Sequence, residues 1–88
     1  MDRPEESERD LDAAIKITAK DPYCYYLRGK VYEKKKELDK ALADYSKAIE
    51  LDPKCGPAYE RRGAVYFDLG QRDKARADSQ KARELDSR

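Results

Sequence analysis

The sequence has no histidine and no tryptophan, one phenylalanine, one methionine and two cysteines. Each shortage removes a class of function. Histidine is the commonest general base near neutral pH and a leading zinc ligand, so its absence weakens both acid–base catalysis and metal binding. Cys24 and Cys55 would need further sulfurs or clustered carboxylates to hold a metal, and the chain offers neither. A disulfide between them would require Cα atoms within about 7 Å and an oxidising compartment. Nothing in the sequence implies one, so both read as thiols. An excess of one charge sign is missing too: 20 basic and 19 acidic residues are interspersed and leave a net charge of +1. No basic field therefore exists to hold nucleic acid or an anionic membrane. No apolar run approaches the roughly 20 residues of a membrane span, and MDRPEESERD at the start has no hydrophobic segment for secretion. The expectation is an intracellular protein, cytoplasmic or nuclear.

Catalytic motifs are equally scarce. There is no glycine-rich phosphate loop and no Cys or Ser beside an evident base, and the carboxylates are scattered over the chain. The residues thus argue against an enzyme, a metal site and a cofactor. What remains is a chain of 88 residues with 44% charged and 39% hydrophobic side chains. A compact fold of that size buries only about 60% of its unfolded surface, so stability is modest. Disorder would be the rival at such polarity, but it is excluded by the strong periodicity of the apolar residues.

The sequence repeats at an offset of 34. Tyr25, Arg28, Gly29, Val31 and Tyr32 recur as Tyr59, Arg62, Gly63, Val65 and Tyr66. Downstream, Asp39, Lys40, Ala41, Asp44 and Ala48 recur as Asp73, Lys74, Ala75, Asp78 and Ala82. A partial copy lies upstream, where Asp10, Ala14 and Ile15 precede Asp44, Ala48 and Ile49 by the same interval. The chain thus enters its repeat halfway through a unit, giving a half-unit over 1–21 and full units over 22–55 and 56–88.

Each full unit reads as two helices. Asp21-Pro22 opens the first with a capping residue and a proline whose missing N–H is harmless there, and Gly56-Pro57 is expected to do the same later. Tyr25, Gly29 and Tyr32 share a face, as do Tyr59, Gly63 and Tyr66. Breaks are predicted near Lys34–Glu37 and at Leu69-Gly70-Gln71. Ala41, Tyr45, Ala48 and Leu51 form the stripe of the second helix, which ends at Asp52-Pro53. Gly29 with Ala41 and Ala48, and Gly63 with Ala75 and Ala82, would let paired antiparallel helices approach closely, with the tyrosines as core.

The run Tyr25, Gly29, Tyr32, Ala41, Tyr45, Ala48, Pro53, then Tyr59, Gly63, Tyr66, Ala75, Ser79, Ala82, resembles the signature of the tetratricopeptide repeat family. The resemblance implies an all-α fold, with antiparallel helix-turn-helix repeats stacked as a short right-handed superhelical solenoid of about two and a half repeats. It departs from the family pattern where Arg28 and Arg62 replace the leucine before the helix glycine. Asp44 and Asp78, sixteen residues later on the partner helix, could pair with them; alternatively Asp10 meets Arg28 and Asp44 meets Arg62, tying neighbouring units together. In the last helix Arg76, Ser79 and Arg83 stand where the preceding unit has Leu42, Tyr45 and Ile49, which fits a solvated end to the array.

The same resemblance implies a protein-interaction scaffold or adaptor that binds a peptide segment in a concave groove lined by the first helices. That places Tyr23, Tyr26, Leu27, Lys30, Glu33 and Lys34 on the groove, followed by Pro57, Glu60, Arg61, Ala64, Phe67 and Asp68. Aromatic and basic groups there could hold a peptide by apolar contact and charge-assisted hydrogen bonds. Two other readings remain open. The uncovered half-unit, with Leu11, Ile15 and Ile17, could drive self-assembly as a homodimer through the N-terminal helix. A chaperone co-factor gripping acidic C-terminal tails is the third, and only Lys30 and Arg61 supply charge for it.

Overall fold

Helices begin and end where the local sequence punctuates them: α1 (Pro4–Ile17), α2 (Pro22–Lys34), α3 (Leu38–Leu51), α4 (Gly56–Asp68) and α5 (Arg72–Asp86). This computed structural model describes residues 4–17 and 20–86, except for the side chains of residues 4–8, 14 and 17. Asp21 caps α2 as expected, its carboxylate accepting a hydrogen bond from the Tyr23 N–H at 2.9 Å. The start of α4 differs from expectation: Gly56 is already helical, and Cys55 at the cap position makes no side-chain bond. Pro57 alone carries the start signal there, because its fixed φ suits the first turn.

Both helix-to-helix turns inside the units close in one way. The Glu37 N–H reaches the Tyr32 carbonyl at 2.9 Å and the Gln71 N–H reaches the Tyr66 carbonyl at 2.8 Å. The residue before each is left-handed, Lys36 at φ 64° and Gly70 at φ 81°. This is the Schellman stop, and the second unit supplies the glycine it favours whereas the first holds a lysine there.

The architecture is all-α among the described residues, with α2 paired to α3 and α4 to α5, α1 on α2, and α4 resting on the α2–α3 pair. These antiparallel pairs stack as a short right-handed superhelical solenoid, 32 × 26 × 21 Å in extent. The core sits where α4 lies on the preceding pair: Ala41, Tyr45 and Val65 are fully buried and are flanked by Tyr26, Tyr32, Leu38 and Leu42. Gly29 is required by Tyr45, since a Cβ at 29 would meet the tyrosine ring at 2.7 Å. A Cβ at 63 would instead lie 3.1 Å from the Ala75 carbonyl and 3.2 Å from the Asp78 Cβ.

The arginines that replace the family leucine form an inner lattice. Arg28 donates to both Asp44 oxygens at 2.7 and 2.8 Å, and Arg62 does so to Asp78 at 2.8 Å each. The intra-unit pairing is thus the one formed. A link to the preceding unit exists too, but through Asp12 rather than Asp10: Arg28 reaches Asp12 at 2.7 Å, and Arg62 reaches Ser46 at 3.2 Å. Each guanidinium also lies over two tyrosine rings of its own helix, at 5.7 and 5.8 Å for Arg28 and 5.6 and 5.7 Å for Arg62. Hydrogen bonding to Asp44 strengthens the hold of Arg28 on its proton, and Asp78 does likewise for Arg62. Ile15 is buried within the single chain and Leu11 is half-buried. The side chain of Ile17 lies outside the described residues.

Candidate functional site

The first helices of the two units, α2 and α4, carry the residues expected on the groove. Tyr23 and Tyr26 stack at 6.2 Å, Tyr26 tilts against the buried Tyr45 ring at 6.0 Å, and the Lys30 ammonium sits 5.6 Å above Tyr26. Successive turns of α2 thereby build one aromatic and cationic cluster, with Tyr23 61% exposed. Burial raises the Tyr26 phenol pKa, while the Arg61 cation opposes that rise.

Glu33 and Arg61 are brought together for a different purpose. Glu33 accepts the Tyr45 hydroxyl at 2.8 Å and Arg61 at 3.0 Å, joining α2, α3 and α4. Desolvation, then the bond to Glu33, pushes the Tyr45 phenol well above its usual value. Desolvation works against the Arg61 cation, but Tyr45 and Glu33 outweigh it and raise its pKa. These two groove residues are therefore committed to holding units together. No sequence spacing marked Tyr45 as their common partner, because the three belong to different helices.

Leu27 is half-buried and Lys34 is exposed at the end of α2, while Glu60, Ala64 and Phe67 are exposed on α4. Phe67, 63% exposed, does not join the Tyr23–Tyr26 cluster; it lines an open hollow of about 610 Å³ between α4 and α5. A second hollow of about 660 Å³ continues along the same seam toward Leu85, with Glu60 and Ser79 lining both. Arg72, Arg76 and Arg83 line this seam and did not figure among the sequence-predicted binding residues. The 34-residue offset was the available signal, since it sets them against Leu38, Leu42 and Ile49.

Among the described residues no three His, Cys, Asp or Glu side chains converge to hold a metal, and no helix is long and apolar enough to cross a membrane. Cys24 and Cys55 are not joined to each other.

Comparison with known proteins finds a tetratricopeptide repeat model matching residues 22–55 and a second matching residues 56–88. A crystal structure of MamA superposes with a TM-score of 0.93 at 32% identity, over 98% of this chain and 50% of that one. The present chain thus spans about half the length of that MamA structure. MamA 41-end from Desulfovibrio magneticus RS-1 matches with a TM-score of 0.83 at 26% identity, over 88% of this chain and 44% of that one. The first TPR of Spaghetti (RPAP3), bound to the HSP90 peptide SRMEEVD, matches with a TM-score of 0.91 at 26% identity, over 93% of this chain and 65% of that one. No curated protein matches the chain by sequence.

Proposed function

The chain belongs to the tetratricopeptide repeat family, and from that premise we propose that it is a non-enzymatic adaptor holding a peptide segment of a partner protein along the face shared by α2 and α4. The observation that carries this reading is the Tyr23–Tyr26–Lys30 cluster, an exposed tyrosine stacked on a half-buried one with a cation above it. Such a surface binds an internal segment through apolar anchors, with Lys30 fixing its direction. The neighbour bound to the HSP90 peptide supports peptide recognition by this fold. The same comparison sharpens the chaperone reading. Here Arg61 is neutralised by Glu33 and Glu60 stands beside it in sequence, which leaves Lys30 poorly supported for an acidic tail.

Peptides selected from a random display library on the whole chain, then titrated calorimetrically, test the reading. Tyr23→Ala and Lys30→Ala should each weaken a selected peptide about fivefold or more, and SRMEEVD should bind weakly or not at all. Selected peptides indifferent to both changes would sink the groove assignment, and micromolar SRMEEVD binding abolished by Lys30→Ala would favour the chaperone reading. A homodimer through α1 would rest on the half-buried Leu11, given that Ile15 is already buried in one chain. Light scattering with and without Leu11→Glu checks it.

A further inference from the structure

The face of α5 that a next helix would cover is lined with arginine. On α3 the corresponding positions are Leu38, Leu42 and Ile49, and α4 packs over this helix with Val65 in the core beside Leu38 and Leu42. The same offset converts these three into Arg72, Arg76 and Arg83, and Tyr45 into Ser79. All four are exposed. Among the described residues no ion pair or hydrogen bond engages any of the three arginines. The two hollows of the α4–α5 seam occupy the place that α4 fills on the preceding pair, with Phe67 exposed at their edge.

We infer that this seam is a second docking surface, separate from the Tyr23–Tyr26–Lys30 cluster, and that its occupant is an amphipathic helix of a partner protein carrying an acidic stripe. The way α4 sits on α2 and α3 gives the pattern. Arg61 lies at the centre of that contact, on Glu33 and Tyr45. Their counterparts in the open seam are Phe67 and Ser79, so the occupant needs an apolar side chain at the place of Arg61. Val65, four residues on, packs near Leu38 and Leu42; over Arg72 and Arg76 that place calls for a carboxylate. Residues 52–55 join the last turn of α3, which holds Ile49, to the first turn of α4, which holds the fully buried Ala58; by the same offset the place of Ala58 falls by Arg83 and takes the second carboxylate. The predicted occupant reads Glu-x-x-Leu-x-x-x-Glu. Glu60 and Asp68 line the α4 wall and oppose acids on that flank, which fixes the orientation of the helix. In the permanent seam beneath α4 the one arginine is paired with Glu33 and the rest is Val65 against Leu38 and Leu42, whereas a seam of unpaired arginines tolerates water when empty. That difference favours an exchangeable partner over a fixed one.

Fluorescence anisotropy on the whole chain tests this with a helix-stabilised peptide of about 20 residues carrying the pattern, and with a control in which both glutamates are lysine. The glutamate peptide should bind saturably, weaken with added salt, and lose about tenfold or more in affinity to the Arg76→Glu, Arg83→Glu variant. Lys30→Ala should leave it unchanged, which separates this surface from the groove. Circular dichroism of the exposed-arginine variant checks that the fold is retained. The proposal is overturned if the two peptides bind alike, if neither binds, or if the charge-reversed chain binds as tightly as the original. It also falls if light scattering finds a dimer that the charge reversal dissolves while the peptide does not bind, because the occupant is then a second copy.

Discussion

The unit over 22–55 and the unit over 56–88 share an inner skeleton and differ on the side facing away from the N-terminus. Both hold an arginine between two tyrosines and against one aspartate, both bring a glycine close to the second helix, and both stop the first helix with a left-handed residue. In the first unit the far side carries Leu38, Leu42 and Tyr45 beneath α4; in the second it carries Arg72, Arg76 and Ser79 in the open. Pairing within a unit is therefore the same in both, and the two units differ in what stacks on them. All three nitrogens of Arg28 and of Arg62 find an acceptor, two on the partner helix and one on the preceding unit, while the far side is apolar or charged according to whether another helix removes it from water.

The largest expected contrast is at the paired positions 45 and 79. Tyr45→Ala should cost about 3–5 kcal/mol, since it empties a fully buried site and removes one of the two donors to Glu33, whereas Ser79→Ala should stay within about 0.5 kcal/mol. Urea denaturation of both variants measures it, and equal losses would break the comparison. Next are the buried aspartates. Asp78→Ala should cost about 3 kcal/mol by leaving Arg62 with only the Ser46 hydroxyl, and Asp44→Ala about 1 kcal/mol less because Asp12 still holds Arg28.

At the glycines, Gly29→Ala should cost about 1–3 kcal/mol, because the Tyr45 ring it meets is fully enclosed. Gly63→Ala should cost less than Gly29→Ala, because its contacts at 3.1 Å with the Ala75 carbonyl and 3.2 Å with the Asp78 Cβ are longer and are partly offset by the better helix propensity of alanine, about 1 kcal/mol. In the turns, Lys36→Gly should stabilise the chain by about 1 kcal/mol by removing a side chain from the left-handed region, and Gly70→Lys should do the reverse. Thermal melts resolve both, and a destabilising Lys36→Gly would mean that the lysine side chain has a compensating role.

The smallest effect near neutral pH comes from the Tyr45 phenol. Its folded pKa lies above the usual value near 10, so stability is fully present below that pH. Above it the unfolded chain releases the proton while the folded chain keeps it, and stability falls as pH rises. Tyr45→Phe should make this alkaline decline shallower. Tyr26, raised in the same direction by burial, contributes to what remains. An unchanged slope would remove Tyr45 from the account.

Much of the fold was legible because its signals are local. Asp21-Pro22, Asp52-Pro53 and Leu69-Gly70 mark helix ends within a few residues, and local backbone chemistry suffices to act there. Gly56-Pro57 was misjudged by one position, since the proline suits the first turn whether or not a capping oxygen precedes it. The groove was half legible. Tyr23, Tyr26 and Lys30 lie on one helix, where three- and four-residue spacing fixes neighbours. Glu33 and Arg61, expected on the groove from the family pattern, bond to each other across 28 residues of chain, a pairing that no spacing within one helix signals.

The sequence by itself determined the 34-residue unit, its two helices and the arginine in place of leucine, because period, capping and composition act along the chain. Only the tertiary structure decided that Arg28 takes Asp44 and Asp12 together, that Glu33 accepts both Arg61 and Tyr45, and that the arginines of α5 line an open seam with Phe67. Those outcomes depend on the rotation and spacing of helices against one another, which are set by how Gly29, Tyr45 and Val65 pack and not by any spacing within a single helix.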